Sequence, residues 1–85
     1  MELGPVELVL AIEEEFKVHI PSEDVVRFER VGDIHDWLFE LFRRTSHFSE
    51  EEIWERLQRV IMRELLVPPR EVTKAAHLLY DLDAD

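Results

Sequence analysis

Apolar residues in this chain recur mostly at intervals of three and four and seldom alternate with polar ones, so the elements it predicts are helices. Over residues 5–17, Val6, Val9, Ile12 and Phe16 keep helical spacing, and Leu8 and Leu10 widen the stripe. Pro5 suits the first helical position, where the N–H it lacks would have no partner anyway. Pro21 interrupts the pattern, and Ser22 is placed to cap a short turn or helix running to Phe28. Gly32 permits a change of direction, and Asp33 is a candidate N-cap for the next element. There Ile34, Trp37, Leu38, Leu41 and Phe42 share one face. Arg43 and Arg44 follow where cations complement a helix C-terminus.

Residues 44–48 read as a connector. Ser49-Glu50-Glu51-Glu52 has the form of a capping box, in which the Ser hydroxyl and the third Glu each satisfy an end N–H. Behind it Ile53, Leu57, Val60, Ile61 and Leu65 give the stripe of the longest helix. Glu52 with Arg56 and Glu55 with Arg59 are candidate i,i+4 pairs on its wet side. Pro68-Pro69 stops that helix. From Thr73 to Asp85, Ala75, Leu78, Leu79 and Leu82 fit a turn or short helix. The pattern predicts an all-α bundle of three main helices, a short fourth element and a long packed tail.

At 85 residues there is room for one core, and a chain of this size buries only about 60–65 % of its unfolded surface. No apolar run approaches the roughly 20 residues that span a bilayer, and Met1 leads straight into acidic sequence, which predicts neither membrane insertion nor a secretory signal. Cysteine is absent, which removes disulfides and thiol chemistry together. Twenty acidic against ten basic residues give a net charge of −10, an unfavourable field for nucleic acid and a favourable one for basic protein surfaces. The expected setting is cytoplasmic.

Residues 5–16, Pro-Val-Glu-Leu-Val-Leu-Ala-Ile-Glu-Glu-Glu-Phe, resemble the second helix of acyl carrier proteins. Ile20-Pro21-Ser22-Glu23-Asp24 and Val31-Gly32-Asp33 resemble that family's third helix and the entry to its last one. Residues 50–85, with Leu65-Leu66-Val67, Glu71-Val72-Thr73 and Asp81-Leu82-Asp83-Ala84-Asp85, resemble its first helix and long first loop. In the family the latter half comes first. The chain therefore resembles a circularly permuted carrier protein, and the resemblance spans nearly everything except residues 43–49. It implies one domain over residues 1–85, with 1–43 as the family's C-terminal half, 44–49 as connector and 50–85 as its N-terminal half. The implied fold is an all-α, acyl-carrier-protein-like bundle of three to four helices. The family's second, third and last helices come first, followed by its first helix and loop. Permutation at a surface site is tolerated when the same faces still meet. A closed monomer is expected, with exchange of halves in a domain-swapped homodimer as the alternative.

The break falls where the family does its chemistry. Carrier proteins attach phosphopantetheine to the Ser of an Asp-Ser-Leu motif at the start of the second helix. The resemblance sets Asp85 on the motif's Asp when read from the C-terminal half, and Met1-Glu2-Leu3 on the motif when read from the N-terminal half, with Glu2 at the Ser position. Glu offers no hydroxyl. Ser22, Thr45, Ser46, Ser49 and Thr73 fall on caps, connector and loop. The expectation is no prosthetic group and no cofactor.

The resemblance also implies a docking face. Glu7, Glu13 and Glu14 match acidic positions by which carrier proteins meet basic patches of their enzymes, Leu10 matches an apolar contact among them, and Glu2 and Asp85 add charge nearby. Gly4 stands where the family has a further acidic residue. Read without the family, Glu13-Glu14-Glu15 is a solvated helix face, and both readings stand. Val6, Val9, Ile12, Phe16, Ile20, Phe28, Val31, Leu57 and Ile61 match or neighbour positions lining the family's acyl cavity, although a plain packed core accounts for them more simply.

Other constellations are weaker. Asp81-x-Asp83-x-Asp85 has the opening of a calcium loop without its Gly and distal Glu, and could at most hold a divalent ion loosely. His19, His35, His47 and His77 lack close metal-ligand spacing and read as surface or half-buried imidazoles, so no metal is expected. His35 with Asp36, or His77 with Asp81, would need a nucleophile and oxyanion donors that the chain does not supply, so it is not expected to be an enzyme. Trp37 and Trp54 read as core and rim aromatics. The leading expectation is an acidic binding module without the attachment Ser, docking on carrier-protein-processing enzymes or regulators. One alternative is a genuine carrier of fatty-acid or polyketide-type metabolism whose Ser lies outside this chain or has been removed from it. The other is a structural, oligomerising bundle.

Overall fold

Ser49 and Glu52 form the capping box that their spacing predicts. The Ser49 hydroxyl accepts the Glu52 N–H at 3.1 Å, and the Glu52 carboxylate accepts the Ser49 N–H at 2.8 Å. They open the longest helix in the computed structural model, which describes residues 4–45, 48–78 and 81–82, with backbone alone for residues 4–6. In chain order the helices are α1 (Gly4–Phe16), α2 (Ser22–Val25), α3 (Val31–Phe42) and α4 (Glu50–Leu65), followed by a 3₁₀ turn, Pro69–Glu71. No strand occurs among the described residues; an isolated antiparallel bridge joins Arg30 to His77. The fold is the all-α bundle that the periodicity predicts.

α4 packs chiefly on α1 and then on α3. Phe16 at the end of α1 lies against Phe48, just ahead of α4, at 5.9 Å between ring centroids, which runs the two helices antiparallel. Ile12, Ile53, Leu57 and Ile61 are fully buried between them, and Val31, Ile34 and Leu38 close the core from α3. In α1 the buried stripe is Leu8, Ile12 and Phe16, with Val9 half-buried, while Leu10 points outward. Leu41, expected on the buried face of α3, is 42 % exposed, and His35 takes an inward position instead. That face runs Val31, Ile34, His35, Leu38 and Phe42.

Three starts and pairings differ from the sequence reading. Pro21, not Ser22, is the N-cap of α2, which ends at Val25 rather than Phe28. α3 begins at Val31, and Asp33 serves it from inside the first turn, its carboxylate accepting the N–H groups of Glu29 and Arg30 at 2.9 Å each. Arg56 does not pair with Glu52, which is occupied by its cap; it reaches across to Glu15 of α1 at 2.8 Å and lies over the Phe48 ring. A cross-helix carboxylate is invisible to spacing rules that look only along one helix.

Beyond α4 the chain turns back through Leu66, which holds a left-handed backbone (φ 56°), and runs toward the entry of α3. The Gln58 amide donates to the carbonyls of Pro69 and Val72. The N–H groups of Val31, Gly32 and Leu78 bond to the carbonyls of Ala76, Lys74 and Glu29. Val72, Ala76 and Leu82 drop apolar anchors into the core. The described part of residues 73–82 thus forms turns and a bridge rather than a helix. The radius of gyration, 11.9 Å, matches the about 12 Å of a fully folded chain this long.

Candidate functional site

The outer face of α1 follows from the same periodicity that buries its inner one. With Leu8, Ile12 and Phe16 turned into the core, the positions i, i+3 and i+7 from Glu7 face away, and Glu7, Leu10 and Glu14 form an exposed stripe. Leu10 is 57 % exposed between the two carboxylates, an apolar spot in an acidic setting. Glu13 lies on the flank of that stripe and is spoken for. Its carboxylate accepts the Ile20 N–H at 2.6 Å and lies 3.3 Å from the His19 ring, leaving 18 % of the side chain exposed. That bond ties the chain just past α1 back onto the helix. There Lys17 adopts a left-handed backbone (φ 56°) and the Val18 N–H closes on the Glu13 carbonyl. Glu15, on the opposite flank, holds Arg56. Of Glu13, Glu14 and Glu15, Glu14 alone is exposed. Glu2 and Asp85, and the side chain of Val6, lie outside the described residues, as does the separation of the chain ends.

The described hydroxyls lie on caps, turns and the loop. Ser49 caps α4, the Thr45 hydroxyl donates to the Phe42 carbonyl, Ser22 opens the short α2 and Thr73 sits in the loop. The first described residues of α1 are Gly4, Pro5 and Val6, none with a hydroxyl. Among the described residues no hydroxyl stands at the start of α1. Ser46 lies outside them.

Of the residues matched to an acyl cavity, Ile12, Phe16, Ile20, Val31, Leu57 and Ile61 belong to one buried cluster, and Val9 and Phe28 pack against it half-buried. They are core first. His35 is the one buried polar side chain among the described residues, 1 % exposed. It is stacked on Phe39 and edge-on to Trp54. Its Nδ1 lies 3.4 Å from Asp36, while its Nε2 has no hydrogen-bond partner and stops 3.9 Å short of the Glu50 carboxylate. His35 is therefore deeper than the surface or half-buried imidazole expected of it, because it shares the inward stripe with Val31, Leu38 and Phe42. The Asp81 carboxylate accepts the His77 N–H at 2.7 Å, which fixes a turn. No group of three metal-ligating side chains converges among the described residues; Asp83 and Asp85 of the acidic triplet, and His47, lie outside them.

Comparison with known proteins adds a partial likeness. Over 38 residues, 45 % of this chain, it is 46 % identical to the acyl carrier proteins of three Clostridium perfringens strains, and the matched stretch covers 50 % of each relative. The chain spans about half the length of the relatives it matches. No family model and no solved structure matches. The likeness is to carrier proteins, not enzymes, and it agrees with the helical bundle. No helix among the described residues is long and apolar enough to cross a membrane.

Proposed function

We propose that this chain is an acyl-carrier-protein-like binding module in permuted helix order. It carries no phosphopantetheine and docks through the outer face of α1 on a basic surface of a carrier-protein-processing enzyme or regulator, in the cytoplasm. The observation that carries this reading is the exposed Glu7–Leu10–Glu14 stripe in a chain with partial acyl carrier protein likeness. An antiparallel α1–α4 pair, followed by a loop folded back onto the entry of α3, is what exchanging the two halves of such a bundle requires, and this supports the permuted order. Glu2 at the family's Ser position, and the lack of a hydroxyl among the first described residues of α1, support a module without an arm.

Such a face works mainly by speeding encounter. Exposed carboxylates attract a basic patch through a field that salt screens over about 8–10 Å, while Leu10 gives the apolar contact that slows departure. The partner is therefore bound weakly and less so at high ionic strength. Glu13, held by Ile20 and His19, shapes the end of the helix and adds field rather than a direct contact.

The test is binding of purified acyl-carrier-protein-processing enzymes to the immobilised chain across a salt series. Salt-sensitive binding that falls about tenfold in Glu7→Lys with Glu14→Lys is expected. No binding at low salt, or binding indifferent to both reversals, removes the proposal. Because the chain spans only half of its relatives' length, the second reading is a genuine carrier whose attachment Ser lies elsewhere. That reading predicts covalent loading of the whole protein, which the docking module does not.

A further inference from the structure

We infer that the outer face of α3 is a second docking surface, shaped for a basic amphipathic segment of a partner protein and independent of the α1 face. Trp37 is its centre. The indole N–H donates to the Asp24 carboxylate at 2.9 Å, which fixes the half-buried ring across the α2–α3 junction before anything binds. Two shallow depressions of about 310 and 330 Å³ meet at Trp37 and Glu40; Phe28 and Asp36 bound one, Leu41 and Arg44 the other. Together they make a groove along α3 with an apolar floor of Phe28, Trp37 and the exposed Leu41.

The rim decides the occupant. Asp24, Asp33, Asp36 and Glu40 line the Phe28 end against a single cation there, Arg27. The Asp36 and Glu40 side chains are 83 % and 64 % exposed. The Glu40–Arg43 pair at 3.2 Å is a surface pair of little worth, so Glu40 can exchange it for a partner's cation. A segment with one apolar side chain on Trp37 and Leu41, and Lys or Arg beside Asp36 and Glu40, would satisfy floor and rim together, and its cation could also lie over the indole face. A second copy of this chain fits poorly, since each copy brings a net charge of −10. A rigid tryptophan in an acidic-rimmed groove gives a contact with little ordering cost.

The experiment titrates the ¹⁵N-labelled full chain with a synthetic amphipathic Leu/Lys helical peptide and follows the two indole N–H signals. Trp54, on α4 beside His35, is the internal reference. A saturable shift of the Trp37 indole and of amides 36–44 is expected, with Trp54 still. Affinity should fall about tenfold in Leu41→Ser and severalfold in Glu40→Lys, and stay unchanged in Glu14→Lys. An unchanged Trp54 signal and helical circular dichroism show that Leu41→Ser is folded. Shifts confined to α1 and lost in Glu14→Lys, peptide affinity indifferent to Leu41→Ser, or no saturable shift would each overturn the inference. So would shifts of the Trp37 indole on concentrating the chain alone, which would make the groove a self-contact. The Glu14→Lys arm keeps its failure separate from failure of the α1 proposal.

Discussion

Between α1 and α4 the contacts are side chain on side chain. Ile12, Leu57 and Ile61 are buried completely, and Phe48 meets Phe16 and Phe42 edge to face where the connector enters α4. The described part of residues 66–82 is held differently. Its backbone bonds to residues 29–32, Gln58 clips it to α4, Arg30 donates to the Ala75 carbonyl, and Val72, Ala76 and Leu82 act as separate apolar anchors. Burial of large apolar surface scales with area and forgives small shifts. A hydrogen-bonded loop depends on a few close approaches and is lost when one of them is blocked. The bundle should therefore set global stability and the loop local stability.

Four substitutions test that division, starting with the largest effect. Leu57→Ala removes a fully buried side chain from the middle of the bundle and should cost about 3 kcal/mol in urea unfolding, a fall of roughly 15 °C in Tm, across the whole chain. Gly32→Ala strikes the loop instead. A Cβ at Gly32 would stand 2.9 Å from the Lys74 carbonyl oxygen, which is closer than real contacts allow. The expected cost is about 1–2 kcal/mol, with loss of amide protection at residues 74–78 and little change in α4. Equal loss of protection in loop and bundle would erase the distinction. Smallest are gains at the two left-handed turns. Lys17→Gly and Leu66→Gly relieve side chains at φ 56° and should each stabilise by about 0.5–1 kcal/mol, read as a higher urea midpoint.

The same division explains what could be read from the sequence. The four helices and nearly all of the bundle's buried positions follow from spacing, prolines and one capping box, because a helix writes its packing into its own sequence at intervals of three and four. Leu41 and His35 exchange their expected places because hydrophobicity alone does not decide which edge of a wide stripe meets α4. The loop was legible only as a stop at Pro68-Pro69 followed by scattered apolar residues. Its partners, residues 29–32 and Gln58, are remote along the chain, so no local pattern announces the bridge between Arg30 and His77.

At the candidate site the acidic residues of α1 were visible, but their division of labour was not. Glu7 and Glu14 are free on the outer face, while Glu13 and Glu15 are engaged by Ile20 and Arg56. Three consecutive glutamates thus serve as turn fastener, exposed charge and cross-helix partner in succession, since adjacent helical positions point to different sides. Trp37 was legible as an aromatic on α3, but its bond to Asp24, and the groove that bond stiffens, needed the fold.

The central claim is a carrier-like bundle that docks without an arm. Incubating the full chain with coenzyme A and a phosphopantetheinyl transferase, then measuring its intact mass, tests this most directly. The account predicts an unchanged mass at every enzyme concentration; the gain of one phosphopantetheine group would contradict it and make the chain a working carrier.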